Sequence, residues 1–442
     1  MVMSDSDIEF IYMAESDEDL MATSQLIHQK FQTLTSILMY ERNEPFIIQN
    51  CQTIFQLALK APFSDSNIMA FAILSKSSAV VVQSLTKDKY FFRQAQKILE
   101  NGQSMEFQYF NSILSRLATI FQSIIRYDVD YLPESAILLR NFLPHIENTG
   151  VFDLLSSSTS PSIKFTCFFD ELMKVNFDTC IIDQIQNSEN ETEISLLLFL
   201  VRQLSRSRKF IKSEIVSART ISVLSSLSNS DNLVIQNSLW QTISSICNEF
   251  TIPHMKYLFF KAMFIVSEPY TNLHMYHISV IDFLGKCLYF DSKLYESLLP
   301  HFLEVISRLI GQFPDSSNLQ ASITRFIIAA LEKEDTAEEV FKSLVPLIVF
   351  TAQSRRRSAA SANCAYILHQ MNIMKITNSS IRKLIKGSKL FQKCSCEFLN
   401  RYETILKQSY GETNVSILDE IKNKIKNKIN PPKSKEDSNN NT

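Results

Sequence analysis

The stretch that decides the fold is residues 291–331, DSKLYESLLPHFLEVISRLIGQFPDSSNLQASITRFIIAAL. Apolar residues recur in it three or four positions apart, on both sides of a break at Phe313-Pro314. This spacing predicts two amphipathic helices, each with one wide apolar face. The first would carry Leu294, Leu298, Phe302, Val305, Ile306 and Leu309, and the second Leu319, Ile323, Phe326, Ile327, Ala330 and Leu331.

The same helical spacing continues through most of the chain, starting at Leu20. The recurring unit is a helix pair of about 40 residues, which is the period of HEAT and armadillo arrays, although no strict sequence repeat is visible. Because a chain of 442 residues is too long for one compact core, stacked repeats are a natural solution. We therefore predict an all-α, HEAT/armadillo-like helical-repeat solenoid over residues 20–410.

Glycine is scarce in this chain, with six residues in 442. An average protein has about 7% glycine. Clustered glycines form the loops that cradle phosphates and dinucleotides, and the six present here are scattered singly. The composition therefore predicts a protein that is not an enzyme and binds no cofactor or metal, with a function that lies in its surfaces.

Charge and hydropathy exclude several further classes of partner. The formal net charge of −2 argues against binding to nucleic acid. The longest apolar run, Leu344–Ala352, is far shorter than the ~18 residues that a membrane span needs. The eight cysteines follow no disulfide framework, so we interpret them as reduced thiols in a cytoplasmic protein, with the nucleus as a second expected location.

The two ends of the chain differ in composition from the repeats. Residues 1–19 are acidic, without lysine or arginine, and are predicted to be a disordered lead. Residues 411–429 are predicted to form a basic amphipathic helix, and 430–442 a disordered tail. We interpret the helix as a cap on the last repeat; contact with a membrane surface, a nuclear signal or partner binding are alternatives.

Two pairs of side chains suggest chemistry at first sight. His274 and His277 have the spacing of a metal-binding pair, and Cys394 and Cys396 form a C-x-C motif. Neither pair has the further ligands that a zinc site needs, so solvent-facing or hydrogen-bonded helix histidines and ordinary thiols are predicted. Trp240, the one tryptophan, is predicted to be a core residue.

The sharpest local signal is Ser354-Arg355-Arg356-Arg357-Ser358. Three consecutive arginines could receive an acidic or phosphorylated partner. Alternatively, they make Ser358 a candidate phosphorylation site for a kinase that selects basic residues, which would add about −2 charge. The third interpretation is a solvated helix start with no further role.

Two regions resemble the SAPS domain, the helical-repeat domain of the Sit4-associated proteins. His145-Ile146 and Asp153-Leu154-Leu155 match the ends of the family segment H-I-G-T-S-A-I-M-D-L-L. Phe313-Pro314 and Leu319 stand where the family has Y-P-W-N-N-F-L-H, although its Trp and Asn residues are not kept. The matches follow the family order over most of residues 20–375.

The resemblance implies a non-catalytic regulatory subunit of a Sit4-like, type-2A-like Ser/Thr protein phosphatase. Such a subunit would bind the catalytic subunit and bring phosphoprotein substrates to it. The candidate partner-binding residues are those of the matched motifs: His145, Asp153, Phe313, Pro314 and Leu319. They could equally preserve the fold, with Asp153 and Pro314 as turn and cap residues. The alternative function is a generic HEAT/armadillo adaptor in transport, trafficking or cytoskeletal assembly.

Overall fold

The computed structural model describes residues 17–30, 40–61, 63–76, 78–102, 106–127, 130–160, 166–207, 209–210 and 213–407. Throughout these residues the regular secondary structure is helical, without a strand. The chain divides into two compact units, an N-terminal unit that ends at Asp291 and a C-terminal unit that begins at Ser292. Each unit is described separately below.

The described part of the N-terminal unit is a series of helices joined by short turns. Four of these turns are 3-10 turns, at Lys87–Lys89, Leu143–His145, Glu214–Val216 and Ile252–His254. The α-helices are α1 Asp17–Lys30, α2 Tyr40–Gln49, α3 Cys51–Leu59, α4 Asp65–Ser75, α5 Ala79–Thr86, α6 Tyr90–Asn101, α7 Phe107–Tyr127, α8 Leu132–Asn141, α9 Thr149–Thr159, α10 Thr166–Lys174, α11 Phe177–Asn187, α12 Glu191–Leu204, α13 Ala218–Leu227, α14 Leu233–Ile246, α15 Lys256–Ser267 and α16 Met275–Phe290.

Most of these helices lie in two layers. In the first layer α4, α7, α9, α12, α14 and α16 pack side by side in chain order. In the second layer α8 packs against α6 and α10, and α11 packs against α13. Contacts of α11 with α12, α13 with α14 and α15 with α16 join the layers. Each repeat therefore buries its apolar faces against its neighbours, which confirms the predicted helical-repeat fold.

The C-terminal unit continues the same scheme. Its helices α18 and α20 pack together as a first layer, and α17, α19 and α21 pack in order as a second layer. The elements are α17 Leu299–Gln312, α18 Ser317–Glu332, α19 Glu334–Ala352, α20 Ala359–Thr377, α21 Ser379–Gly387, α22 Lys389–Cys394, a π-helical turn Ser395–Leu399 and α23 Asn400–Lys407.

The first-layer helices begin at a constant interval of 42 residues along the sequence, for example from 65 to 107 and from 107 to 149. The second-layer helices are not evenly spaced. Only the starting positions of the first-layer helices therefore repeat strictly. Helix and loop lengths vary within each 42-residue interval. The first residues of the first-layer helices are Asp65, Phe107, Thr149, Glu191, Leu233 and Met275 in the N-terminal unit, and Ser317 and Ala359 in the C-terminal unit.

One core position repeats with this interval. The seventh residue of every first-layer helix is apolar, and from the second repeat onward its side chain is buried. These residues are Phe71, Ile113, Leu155, Leu197, Leu239, Ile281, Ile323 and Ala365. Because the other positions vary, the repeat is invisible to a search for identical residues.

Hydroxyl groups join neighbouring first-layer helices at about the same interval. The Ser195 and Ser238 hydroxyls lie 2.6 Å apart, and the Thr242 hydroxyl donates to the Leu198 carbonyl at 3.0 Å. These partners are 43 and 44 residues apart in sequence. Small polar side chains thus satisfy one another where α12 and α14 approach closely.

Trp240 is a core residue, as predicted. Its side chain is fully buried in α14, and its ring lies 5.9 Å from that of Phe283 in α16. The indole Nε1–H donates to Oε1 of Gln236 at 2.8 Å, so the one polar group of the ring is satisfied.

The helix boundaries differ from the prediction in several places. Helices α11 and α21 were not predicted. The turn before α11 contains no glycine or proline that would mark it in the sequence. Instead, Asn176 takes the left-handed conformation there, with φ 53°. Helix α1 begins at Asp17, three residues inside the predicted acidic lead. The rest of that lead, the basic helix 411–429 and the tail 430–442 lie outside the described residues.

No single helix in the described part of the chain is long and apolar enough to span a membrane. One bent pair, Asp65–Ser75 with Ala79–Asn101, meets the criterion of length and composition together.

Candidate protein-interaction surfaces

His145 lies in the N-terminal unit, in the 3-10 turn that leads to α9. Its ring is half-buried and meets the ring of Phe110 edge to face, with 5.5 Å between centroids. Burial lowers the pKa of this imidazole, so it is neutral at pH 7. The side chain packs as a core aromatic would, and this contact gives it a structural role.

Asn148, three residues later, ties two repeats together. Its Oδ1 accepts from the Val151 N–H at 3.2 Å, which caps α9. The same side chain donates to the Asn111 carbonyl at 2.8 Å and accepts from the Ser115 hydroxyl at 2.9 Å, both in α7. Helix α9 also approaches α7 closely at Gly150, where a Cβ would lie 2.7 Å from the Ser115 Cα.

Asp153 is exposed on the fifth residue of α9. The interpretation of Asp153 as a turn residue is wrong, because it lies inside a helix. An open groove of about 740 Å³ is lined by His145, Asn148 and residues of α7, including Phe107 and Phe110, but not by Asp153. Three of the polar residues that border it, Asn111, Ser115 and Asn148, bond to one another.

The other predicted contact residues lie in the C-terminal unit, so the structure does not bring the five together in one compact unit. Phe313 and Pro314 are half-buried in the loop between α17 and α18, and the Pro314 carbonyl accepts from the Ala360 N–H at 2.8 Å. Pro314 therefore links two repeats. Leu319 is fully buried in α18, so the expectation of a partner contact there is corrected: its side chain belongs to the core.

The arginine loop, residues 353–357, lies beside that loop and leads to α20. The Arg356 guanidinium pairs with Asp315 at 2.6 Å, and both side chains are largely exposed. Arg355 and Arg357 are exposed and make no ion pair within the described residues. Ser358 is the N-cap of α20: its Oγ accepts from the Ser361 N–H at 3.1 Å, and the Ser361 Oγ accepts from the Ser358 N–H at 3.1 Å.

The 42-residue register shows how unusual the arginine loop is. The residue just before the N-cap is acidic in four repeats, which suits the positive end of the helix dipole. Three cations at this place oppose the dipole, so the fold does not favour them. The acidic residues are Glu147, Glu189, Asp231 and Asp315, whereas the corresponding residue before the N-cap of α20 is Arg357.

A second exposed feature was missed by the sequence analysis. Tyr257, Phe260 and Phe264 lie on one face of α15, with 51%, 49% and 58% of their surface exposed. We call these three residues the aromatic face. The opposite face of α15 is buried and apolar, so the helix has an apolar face on both sides. That pattern, readable in the sequence, is typical of a helix with a second packing partner.

The two histidines near the start of α16 act structurally. The His277 ring stacks on Tyr270 at 4.0 Å, and its Nδ1 accepts from the His274 N–H at 3.0 Å. Burial and the neighbouring His274 lower the pKa of His277 to about 4. The prediction of hydrogen-bonded helix histidines is confirmed for His277.

In the part of the chain that the structure describes, the metal-ligating side chains do not form a cluster. There, no group of three or more histidine, cysteine or acidic side chains could hold a metal ion. The eight cysteines, all described, are free thiols, and Cys394 is buried while Cys396 is exposed. Burial raises the pKa of the Cys364 thiol to about 12, which keeps it protonated.

No protein-family model matches the chain, and no curated protein matches it in sequence. The chain is similar to the crystal structure of an engineered protein, at 12% identity and a TM-score of 0.44, over 83% of this chain and 98% of that one. It is similar to the crystal structure of SYS-1 at the same identity and TM-score, over 87% of this chain and 79% of that one. At this level neither structure bears on function, and the resemblance to the SAPS family stays a prediction.

Proposed function

We propose that this chain is a non-catalytic protein-interaction scaffold, and that the aromatic face of α15 is one of its partner-binding surfaces. The observation that carries the proposal is the exposure of Tyr257, Phe260 and Phe264, about half the surface of each, on one face of a well-packed helix. Large exposed aromatic groups in a contiguous patch are typical of protein interfaces.

The outward face of α13, another second-layer helix, differs from this one. On α13 the residues with the same spacing are Arg219, Ser222 and Ser226, and all three are exposed and polar. Arg219 also forms an ion pair with Asp183 of α11. Since the fold does not require an aromatic surface at this layer, the aromatic face of α15 has a use beyond the fold.

Lysines border the aromatic face. Lys256 is exposed beside Tyr257, and the Lys261 Nζ donates to the Asn229 side chain at 3.3 Å. The partner that suits this surface is an amphipathic segment with apolar anchors and acidic flanks. A scaffold that holds such a partner acts by raising its effective concentration near a second bound protein.

The finer proposal is that the partner is a type-2A-like Ser/Thr phosphatase catalytic subunit, to which the scaffold directs phosphoprotein substrates. It rests on the SAPS-like motifs at His145 and Phe313. The alternative is a generic adaptor for transport, trafficking or cytoskeletal assembly, which shares the fold and uses other partners.

The test is quantitative affinity purification of the tagged full-length protein from its own cells, with partners identified by mass spectrometry. The triple variant Tyr257→Ser, Phe260→Ser, Phe264→Ser is compared with the wild type. The matched control is Arg219→Ala, Ser222→Ala, Ser226→Ala on α13. We expect at least one near-stoichiometric partner to be lost from the aromatic variant and kept by the control.

The identity of that partner separates the finer proposals. A type-2A-like catalytic subunit supports the regulatory-subunit proposal, and any other abundant partner supports the adaptor. If the aromatic variant and the α13 control retain the same partners in the same amounts, the aromatic face is not a binding surface. A wild-type protein that purifies without a stoichiometric partner would contradict the scaffold proposal. Fluorescence of Trp240, the single tryptophan, verifies that the variants are folded.

A further inference from the structure

The arginine loop combines a sequence signal with a backbone that a protein kinase can read. Arg355, Arg356 and Arg357 stand three, two and one residues before Ser358, and all three arginines are exposed. Ser358 itself has extended backbone, with φ −142° and ψ 164°. Protein kinases bind their substrates as extended segments, so the site is presented before the helix begins.

The hydrogen bonds at Ser358 leave its hydroxyl proton available. The Oγ accepts from the Ser361 N–H, and within the described residues the hydroxyl group donates to no acceptor. The proton is therefore free to pass to the catalytic base of a kinase while the cap is still in place.

We propose that Ser358 is a phosphorylation site for a kinase that selects arginine two and three residues before the serine. The Ser358 Oγ attacks the γ-phosphorus of ATP, the new P–O bond forms as the bond between the γ-phosphorus and the β–γ bridging oxygen breaks, and ADP leaves. The hydroxyl proton passes to the kinase base.

The modification removes most of the local positive charge. A phosphoserine carries about −2 charge, which reduces the sum over the three arginines and the serine from +3 to about +1. Its oxygens can also bond the Arg356 guanidinium, which in the unmodified protein pairs with Asp315. Phosphorylation therefore weakens the attraction of this surface for acidic partners and competes with a contact between two repeats.

The chain contains its own matched control in Ser316. Ser316 occupies the equivalent N-cap of α18, 42 residues earlier, and it too is half-buried. It is preceded by Phe313-Pro314-Asp315 in place of the arginines. Accessibility and position in the repeat are therefore similar. The basic residues are absent at Ser316, and its side chain makes no cap hydrogen bond, so its hydroxyl group is not held by the helix.

The experiment treats the folded full-length protein with ATP, Mg²⁺ and the catalytic subunit of cAMP-dependent protein kinase, and maps phosphate by mass spectrometry. We expect close to one phosphate at Ser358 and none at Ser316. Ser358→Asn keeps a helix-capping side chain and should abolish the incorporation, whereas Ser316→Asn should leave it unchanged. Arg355→Ala with Arg356→Ala should slow it at least about tenfold.

A synthetic peptide of residues 350–364 provides the reference rate. If the peptide is phosphorylated and Ser358 of the folded protein is not, the fold blocks the site and the proposal is wrong. Equal rates at Ser316 and Ser358, or an unchanged rate in the arginine variant, would equally overturn it.

Discussion

Two loops occupy the same place in the 42-residue repeat and are used differently. In the loop before Asn148, His145 packs on Phe110 and Asn148 bonds back to the preceding repeat. In the loop before Ser358, two of the three arginines face solvent without an ion pair among the described residues. The comparison teaches that the N-cap serves the fold in both places, whereas the residues just before it are free to acquire another role.

The largest expected effect concerns a third N-terminus at the same position of the 42-residue repeat, that of α16 at His274. Because the pKa of His277 is lowered to about 4, the unfolded chain, with an imidazole pKa near 6.5, binds more protons between these values. The free energy of unfolding should therefore fall as pH falls from 6.5 to 4, by up to about 3 kcal/mol, with no such loss above pH 6.5.

Urea unfolding at several pH values, followed by Trp240 fluorescence, measures the pH dependence of the free energy of unfolding of the N-terminal unit. His277→Gln keeps a polar side chain and removes the titration, so its stability should depend less on pH in this window. The same slope in the variant and the wild type would show that another group carries the effect.

Two glycines sharpen the comparison between the units. Gly150→Ala should destabilise the N-terminal unit by about 1–3 kcal/mol, because the new Cβ meets the backbone of Ser115. Gly311→Ala, in α17 of the C-terminal unit, meets no atom within 4 Å and should stabilise by up to about 1 kcal/mol. Trp240 fluorescence reports the first change, and amide hydrogen exchange of α17 the second. Destabilisation by Gly311→Ala would contradict the open space at that position.

Removing the two caps compares the loops directly. Asn148→Ala loses a cap and two bonds to α7, so about 2 kcal/mol of stability should be lost. Ser358→Ala loses the cap alone, about 1 kcal/mol. Amide exchange of α9 and α20 measures both. Equal losses would mean that the bonds from Asn148 to α7 contribute nothing.

The smallest effect is expected for the arginines. Arg355→Gln with Arg357→Gln should change the stability of α20 by less than about 0.5 kcal/mol, since both side chains are exposed. Thermal unfolding followed by circular dichroism is suitable, with Arg356→Gln as the control that also removes the pair with Asp315. A clear loss in the double variant would assign the two arginines to the fold.

Much of the fold could be predicted from the sequence. The spacing of apolar residues such as Ile323 and Phe326 predicts a helix whichever neighbouring helix it packs against. Helix α11 could not, since its entry depends on a left-handed Asn176 and not on glycine or proline. The candidate contact residues were less predictable. Leu319 was a candidate contact residue and is fully buried, so a resemblance in sequence alone does not separate packing from binding.

The aromatic face shows the reverse case. In the sequence Tyr257, Phe260 and Phe264 cannot be told from core residues, because an apolar helix gives no sign of which side stays uncovered. The three arginines of the arginine loop stand out in the sequence. That they depart from the other repeats is seen only when the repeats are aligned at the 42-residue interval. Only the alignment of the first-layer helices shows that this position is acidic in four repeats and that three consecutive cations are an exception there.

The central claim is that the arginines before the N-cap of α20 do not serve the fold. Its most direct test replaces them with the residues that precede the N-cap of α14. Residues 229–231, Asn-Ser-Asp, precede the cap of α14, and the variant Arg355→Asn, Arg356→Ser, Arg357→Asp places the same triplet before α20. Amide hydrogen exchange of α20 is then compared with the wild type. The account predicts equal or greater protection, because the arginines do not serve the fold. A loss of protection along α20 would contradict it.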